Sequence, residues 1–219
     1  METRRFGDLS GPFIPPARGG IASSLVMILH GWGADGKDLT SLSFPISVRF
    51  PGAAFFVPNG PALCKMNPEG REWFDIEDKI NGPVETAPII DEAIAVALDE
   101  LNLPSTAMAL AGFSQGGMMS LHCGLRQNPP LAAIVSFSGT LLIDDDLLND
   151  VQNTLYPPVL LVHGTEDGVV PFSLQAESNN RLKNLSILVE TFECNGLGHG
   201  IDADGLSAAI SFLSKSLPV

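Results

Sequence analysis

Short apolar runs alternate with stretches of helical periodicity along most of this chain. The runs predict buried strands at residues 24–30, 53–57, 106–113, 131–137, 158–163 and 186–192. Helical spacing of apolar residues predicts helices at 87–101, with Pro88 near the start, directly after 114, at 173–185 and at 206–217. Because strands and helices alternate, we expect an α/β fold with a mainly parallel central sheet and helices on both faces.

Two segments lack such a pattern. Residues 1–20 contain glycines and prolines but no motif, and they predict an extended N-terminal segment. Residues 61–83 predict a loop that wraps the sheet. No repeat, low-complexity tract or linker divides the remainder, so we expect a single domain over residues 1–219.

Composition narrows the functional classes. With 45% hydrophobic and 17% charged residues, the 219-residue chain is too apolar for a disordered or coiled-coil protein. Its net charge of −13 argues against binding to nucleic acid or anionic lipid, because both need a basic surface. No run approaches the roughly 18 apolar residues of a membrane span, so we expect no stable membrane insertion. Glycine and prolines stand where a signal peptide has its apolar stretch, which predicts a cytoplasmic protein.

The cysteines and one acidic run carry no predicted chemistry. Cys64, Cys123 and Cys194 are odd in number and lack metal-site spacing, so we predict free buried thiols rather than a disulfide framework. The consecutive aspartates at 144–146 predict a solvated loop or a helix start without a catalytic role.

The segment GFSQGG, at residues 112–117, places a serine between glycines at GxSxG spacing. It lies between an apolar strand and a helix-compatible stretch, which is the order of a nucleophile elbow. Such a turn lifts the serine oxygen clear of the sheet and leaves no room for side chains two residues to either side, where Gly112 and Gly116 stand. Ser114 is therefore predicted as the nucleophile of a hydrolase, at a helix N-terminus that favours negative charge.

A serine nucleophile needs a histidine base, and the histidine needs a carboxylate. In α/β-hydrolases these residues follow in the order Ser, then Asp or Glu, then His. His30 precedes the elbow and His122 lies on its helix, so His163 and His199 remain. His199 stands in a glycine-rich loop after the last strand, where an imidazole can approach a site closely, and we predict it as the base.

The carboxylate has to lie between the serine and the histidine, at the end of a strand. Asp167, in GTEDGVVP, meets this requirement, whereas Asp150 and the aspartates at 144–146 lie in a polar stretch. Glu166 is the adjacent competitor. The glycine and apolar run after Asp167 predict a turn that folds over the site, which favours Asp167 and leaves Glu166 facing solvent.

An oxyanion hole needs one backbone N–H from the residue after the nucleophile and one from the loop after an earlier strand. Gln115 supplies the first by position. The second is expected from the HGWG segment, where Gly31 and Gly33 free the backbone and Trp32 is the predicted donor.

Five motifs in this order, LHGWGADG, REWFDI, GFSQGG, DGVVP and GLGHGI, resemble the phospholipase/carboxylesterase family, which includes acyl-protein thioesterases and small bacterial carboxylesterases. The resemblance runs from about residue 29 to the C-terminus. It implies an α/β-hydrolase fold and a serine hydrolase that cleaves carboxylic esters or thioesters through an acyl-enzyme, without metal or organic cofactor. It gives the roles of nucleophile, orienting carboxylate and base to Ser114, Asp167 and His199.

The same resemblance implies oxyanion donors and an acyl groove. The donors are the N–H groups of Trp32 and Gln115, and the groove involves Trp73, Phe74 and Val169. Ordinary core packing is the competing explanation for the aromatic pair. Since the Trp32 position often holds a smaller residue in this family, we expect a narrower acyl site.

Several alternatives remain open at this point. The resemblance implies a small-molecule or acylated-protein ester or thioester as the substrate, so a lysophospholipase, an acyl-protein thioesterase and a short-chain esterase all fit. The sequence leaves lid motion and a homodimer undecided. A hydrolase-fold binding protein without turnover is the alternative outside enzymes, and the full set of site residues argues against it. A nucleotide-binding domain is disfavoured because GFSQGG lacks GxGxxG spacing and no GxxxxGK[ST] occurs.

Overall fold

The computed structural model describes residues 1–142 and 155–218, and a central eight-stranded sheet runs through both parts. The strands are β1 (Glu2–Phe6), β2 (Leu9–Ile14), β3 (Ser24–Leu29), β4 (Ala53–Phe56), β5 (Ala62–Leu63), β6 (Arg71–Glu72), β7 (Met108–Phe113), β8 (Ala133–Phe137), β9 (Val159–Gly164) and β10 (Val189–Cys194). The sheet has the order β1-β2-β4-β3-β7-β8-β9-β10, and β5 pairs with β6 in a small separate sheet. From β4 to β10 neighbouring strands pair in parallel, whereas β1 and β2 pair antiparallel at one edge.

Helices cover both faces of this sheet. They are α1 (Ser43–Arg49), α2 (Asn81–Leu101), α3 (Gln115–Gly124), α4 (Ser173–Asn184) and α5 (Ala203–Leu213), with 3₁₀ helices at Gly36–Leu42 and Ser105–Ala107. The core on one face joins the sheet to α2, α3 and α4, and the core on the other face joins it to α1 and α5. The predicted α/β architecture, mainly parallel with helices on both sides, is confirmed.

The continuous apolar runs of the strands follow from burial on both faces. In β3, Met27 packs into the core with α2 and α3, whereas Val26 and Ile28 on either side of it pack into the opposite core. Because neither face of such a strand meets water, the alternation of apolar and polar residues disappears. The sequence pattern therefore identifies central strands well.

Helix α2 begins at Asn81, six residues before the start predicted at residue 87. Pro83 lies in its first turn, where the missing N–H has no intrahelical acceptor and costs nothing. Thr86 fixes this turn, because its hydroxyl donates to the carbonyl oxygen of Trp73 at 2.7 Å. Pro88 is an interior residue of the helix rather than a starting one.

The N-terminal segment is a β-hairpin that extends the sheet. Strand β2 pairs with β4 through Phe13 and Phe56, and the ring of Phe6 meets that of Phe56 edge to face at 4.8 Å. The prediction of an extended segment without a motif missed this pairing, because Gly11 and Pro12 interrupt the pattern of β2. A Cβ at residue 11 would lie 2.4 Å from the carbonyl oxygen of Val57, so the close approach of two backbones requires glycine there.

Other predictions from composition can be compared directly. Cys64, Cys123 and Cys194 are free and buried, as expected. Across residues 1–142 and 155–218, no helix combines the length and the apolar character needed to cross a bilayer. The aspartates at 144–146 and Asp150 lie outside the described residues.

One partly buried carboxyl group gives the fold a testable pH dependence. Asp91 on α2 accepts a hydrogen bond from Nε2 of Gln127 at 2.7 Å. Burial raises the pKa of Asp91 to about 6, although this hydrogen bond and the charge of Arg126 oppose the shift. An aspartate in the unfolded chain titrates near ~3.9. Stability should therefore fall as the pH rises from about 4 through about 6, because the native state binds the extra proton in that window.

The substitution Asp91→Asn keeps an acceptor for Gln127 and removes the partly buried charge. We expect it to raise the free energy of unfolding by about 1–2 kcal/mol above pH 7 and to change it little near pH 4. Urea unfolding at both pH values measures the difference. The control is Glu92→Gln at the exposed neighbouring position, and it should change the free energy of unfolding by the same amount at both pH values. An equal gain for Asp91→Asn at both pH values would contradict the prediction.

Candidate active site

The loops after four parallel strands bring the predicted site residues to one edge of the sheet. Trp32 follows β3, Ser114 follows β7, Asp167 follows β9 and His199 follows β10. Parallel strands end at the same edge, so the side chains of these loops converge although up to 167 residues separate them in sequence. This edge is where ligands bind in open α/β sheets.

Ser114 lies on a sharp turn between β7 and α3. Its backbone has φ of +54° and ψ of −117°, a conformation that residues with a side chain rarely adopt. The flanking glycines are required, because a Cβ at Gly112 would lie 2.1 Å from the carbonyl oxygen of Gly116. A Cβ at Gly116 would lie equally close to that of Leu29. The geometry is that of a nucleophile elbow.

An unbroken chain of hydrogen bonds joins Ser114, His199 and Asp167. Nε2 of His199 lies 2.9 Å from Oγ of Ser114, and Nδ1 lies 2.7 Å from Oδ2 of Asp167. A carboxylate can only accept, so Nδ1 carries the proton and Nε2 is free to accept from the serine hydroxyl. The side chain of Asp167 is fully buried, whereas the His199 side chain is 18% exposed at the site opening.

Asp167 is held in its ionised form. Its second oxygen, Oδ1, accepts from the backbone N–H groups of Val169 and Val170, both at 2.9 Å. Burial raises the pKa of Asp167, but the hydrogen bonds from His199 and from the two N–H groups outweigh it, and the net result is a lowered pKa. The stabilisation from these bonds is therefore present at neutral pH and is lost only as the pH falls through the native-state pKa.

The two competitors from the sequence occupy other positions. Glu166 is exposed, and its backbone N–H donates to the carbonyl oxygen of Leu197 at 2.9 Å. His163 is buried, and its Nε2 donates to the carbonyl oxygen of Val170 at 2.9 Å while lying 3.4 Å from Oδ2 of Asp167. Sequence reasoning considers His163 only as a candidate base and misses its place beside the carboxylate. Its position four residues before Asp167, at the end of β9, was the available signal.

Two backbone N–H groups without a hydrogen-bond acceptor in the part of the chain that the structure describes are candidate donors of an oxyanion site. They are those of Trp32 and Gln115. Gln115 is the first residue of α3, so no intrahelical carbonyl reaches its N–H. Its side chain is buried and tied to a neighbouring segment, because Oε1 accepts from Trp73 N–H at 3.0 Å and Nε2 donates to the Phe74 carbonyl oxygen at 2.7 Å.

A cavity of about 290 Å³ is lined by residues of α3, of α4 and of the turn after Asp167. Val169 lines it, as does Met118, one helical turn after Ser114 on α3. The rest of its apolar lining includes Leu141, Val170, Pro171 and Leu174, and charged Lys79 and Glu177 also border it.

Val169 lines this cavity, whereas Trp73, Phe74 and Trp32 do not. Trp73 is 1% and Phe74 4% exposed, and both belong to the core, so the packing explanation holds for the aromatic pair. The indole of Trp32 donates instead to a carboxylate oxygen of buried Glu72 at 2.8 Å. This contact fixes the position of the Trp32 indole, and the narrower acyl site stays a prediction.

Comparison with known proteins gives consistent matches over nearly the whole chain. The sequence pattern of the phospholipase/carboxylesterase family matches residues 17–217. Acyl-protein thioesterase 1 of Schizosaccharomyces pombe is 30% identical over 205 residues, covering 87% of this chain and 89% of that protein. Esterase YpfH of Escherichia coli is 27% identical over 203 residues, covering 90% and 84%. The crystal structure of esterase PE8 has a TM-score of 0.89 and 39% identity, covering 95% of this chain and 99% of that one.

Proposed function

The chain belongs to the phospholipase/carboxylesterase family of ester and thioester hydrolases, and we propose that Ser114 is its nucleophile, His199 its general base and Asp167 the carboxylate that orients the base. The observation that supports this most strongly is the hydrogen-bonded chain from Asp167 through His199 to Ser114. A serine hydroxyl becomes a good nucleophile only when a neighbouring base takes its proton, and this arrangement supplies the base in the correct tautomer.

Acylation starts with attack of Ser114 Oγ on the carbonyl carbon of the substrate. The hydroxyl proton passes to Nε2 of His199, and the imidazolium is stabilised by ionised Asp167. The N–H groups of Trp32 and Gln115 bind the negative oxygen of the tetrahedral intermediate. Collapse breaks the C–O or C–S bond, and the leaving alcohol or thiol takes the proton from His199, which leaves an acyl-enzyme.

Deacylation repeats these steps with water. His199 removes a proton from the attacking water, a second tetrahedral intermediate forms in the same oxyanion site, and its collapse returns the proton to Ser114 Oγ. The product is a carboxylic acid. No step requires a metal ion or organic cofactor.

Release of the first product tests this two-step mechanism. With an activated p-nitrophenyl ester, we expect a burst of about one equivalent of p-nitrophenol per chain before the steady state. A binding protein without turnover would release none. The same assay with matched ester and thioester substrates measures which leaving group is preferred.

We further propose that the cavity lined by Met118 and by the turn after Asp167 receives the acyl chain. Val169, Met118 and Leu174 give it an apolar wall, and burial of a methylene contributes about 0.8 kcal/mol, or about fourfold in the specificity constant per carbon. The specificity constant for p-nitrophenyl esters should therefore rise from acetate upwards until the cavity is full. A flat profile would contradict this assignment.

Filling the cavity should shift the preferred chain length. Leu174→Trp adds bulk to the wall, and we expect the specificity constant for octanoate to fall by about tenfold or more while that for acetate stays within about twofold. Leu188→Trp is the matched control, because Leu188 is exposed and borders a different cavity. If both substitutions leave the octanoate value unchanged, the acyl chain lies elsewhere.

We also infer a cytoplasmic location. The three cysteines are unpaired and buried, in keeping with a reducing compartment. The substrate is a small-molecule or acylated-protein ester or thioester.

A further inference from the structure

His30 directly precedes the Gly31–Trp32 peptide and is fully buried. The backbone N–H of Gly60 donates to its Nε2 at 2.8 Å, and its Nδ1 lies 2.7 Å from the carbonyl oxygen of Gly31. The histidine's own backbone is also fixed, because the indole of Trp73 donates to the His30 carbonyl oxygen at 2.8 Å. None of the proposed catalytic steps uses this imidazole.

The contacts of His30 determine its protonation state. A backbone N–H can only donate, so Nε2 must offer its lone pair to Gly60, and a carbonyl oxygen can only accept, so Nδ1 must carry the proton. The ring is therefore the neutral Nδ1–H tautomer. Burial lowers the pKa of His30, with a smaller opposing effect from the Gly31 hydrogen bond, which agrees with a ring that stays neutral.

The hydrogen bond from Nδ1 acts on a particular peptide group. The carbonyl of Gly31 and the N–H of Trp32 belong to the same planar trans peptide, so they point in opposite directions. Holding the oxygen toward the core therefore aims the N–H toward the site. A hydrogen bond to the oxygen also polarises the peptide and strengthens its N–H as a donor.

We propose that His30 is a positioning residue that fixes the Gly31–Trp32 peptide and thereby orients the Trp32 N–H toward the oxyanion. This proposal rests on the hydrolase mechanism proposed above. Two further hydrogen bonds fix the position of Trp32. Its indole donates to Glu72, and the backbone N–H of the next residue, Gly33, donates to the Arg71 carbonyl oxygen at 2.9 Å. Besides His30, the Gly31 oxygen accepts only the longer 3.2 Å bond from Ala34 among the described residues.

If His30 only stabilised the fold, its hydrogen bond with Gly60 would matter more than its hydrogen bond with Gly31. Two substitutions at His30 separate a structural role from a positioning role. The amide of asparagine reaches the place of Nδ1, so His30→Asn can keep the donor to Gly31 and lose the acceptor for Gly60. The amide of glutamine reaches the place of Nε2, so His30→Gln can keep the acceptor and lose the donor. Thermal unfolding of both variants compares their stability.

We expect His30→Gln to lower kcat by about 10- to 100-fold with little change in KM, because loss of a whole oxyanion donor costs about 10²- to 10³-fold. His30→Asn should stay within about fivefold of the parent. An alkylboronic acid, which places a negative oxygen in the oxyanion site, should bind His30→Gln more weakly by a factor close to the loss in kcat/KM. Binding of 1-octanol, which forms no oxyanion, should change less than about twofold.

The reverse ranking of the two variants, or equal losses for boronic acid and octanol binding, would overturn the proposal. Long-range ¹H–¹⁵N NMR spectra of the unmodified protein give a test that does not depend on variant folding. They should show the neutral Nδ1–H tautomer of His30 at pH 7.5, and an Nε2–H tautomer would overturn the proposal. Failure of the mechanism itself is distinct, because the unmodified protein would then show neither turnover nor a burst.

Discussion

Replacing Ser114 with alanine should abolish ester turnover, with a loss on the order of 10⁴-fold or more in kcat. The substitution removes Oγ, the atom that accepts the acyl group, and leaves the hydrogen bond between His199 and Asp167 in place. The fold should stay intact, because the hydroxyl is half-buried at the site and its hydrogen bond is to His199. Initial rates with p-nitrophenyl butyrate measure the loss, and thermal unfolding verifies the fold.

Covalent labelling gives this experiment its control. A fluorophosphonate should modify the unaltered protein at Ser114 and should not modify Ser114→Ala. The variant Ser211→Ala, at an exposed position of α5, should label and turn over like the parent. Labelling at Cys123 or at another serine, with full activity in Ser114→Ala, would contradict the assignment of the nucleophile.

Asp167→Asn should lower kcat at neutral pH by as much as ~10⁴-fold. Oδ1 of Asp167 accepts two backbone N–H groups, so the amide oxygen of asparagine has to take that place and its NH₂ has to face His199. A donor opposite Nδ1 forces the imidazole proton onto Nε2. The base then has no lone pair for the hydroxyl of Ser114.

Glu166→Gln is the matched control for this prediction. It removes a carboxylate one residue away, on a side chain that is exposed to solvent, so we expect less than about threefold change in kcat. Steady-state rates of both variants at pH 7.5 give the comparison. If Glu166→Gln were the more damaging change, the orienting carboxylate would have been misassigned by one residue.

Much of this site could be predicted from the sequence because its signals are local. The elbow is recognisable from glycines that are required where two backbone segments approach closely. Chain order then restricts which histidine and which carboxylate can belong to the site. The ends of parallel strands meet at one edge, so motifs that are distant in sequence could be expected to converge. The central strands were equally predictable, since burial on both faces leaves uninterrupted apolar runs.

Features that depend on distant partners could not be predicted in this way. The indole of Trp32 meets Glu72 across 40 residues of sequence, and no local pattern indicates that pairing. The aromatic character of Trp73 fits a groove and a core equally well, and only its burial decides between them. Chain order excludes His30 as the base because it precedes the elbow. The same criterion gives no information about a residue that orients a peptide group.

A short motif also needs its structural context. The segment GWGADG at residues 31–36 fits the GxGxxG spacing of dinucleotide-binding turns. Here a 3₁₀ helix begins at its last glycine, and two of its three glycines have a local reason: Gly33 has φ of +76°, and a Cβ at Gly36 would lie 2.1 Å from the Val57 carbonyl oxygen. The spacing alone would have indicated the wrong ligand.

At position 114, the backbone conformation that activity needs lowers the stability of the fold. A conformation of this kind costs about 1–3 kcal/mol, and glycine, which has no Cβ, would relieve most of it while removing the reactive oxygen. Directed evolution that screens only for heat resistance would therefore enrich inactive sequences at position 114. Libraries meant to yield a robust catalyst should keep this codon fixed and seek their gains in distant surface positions, where a more stable fold need not relax the turn.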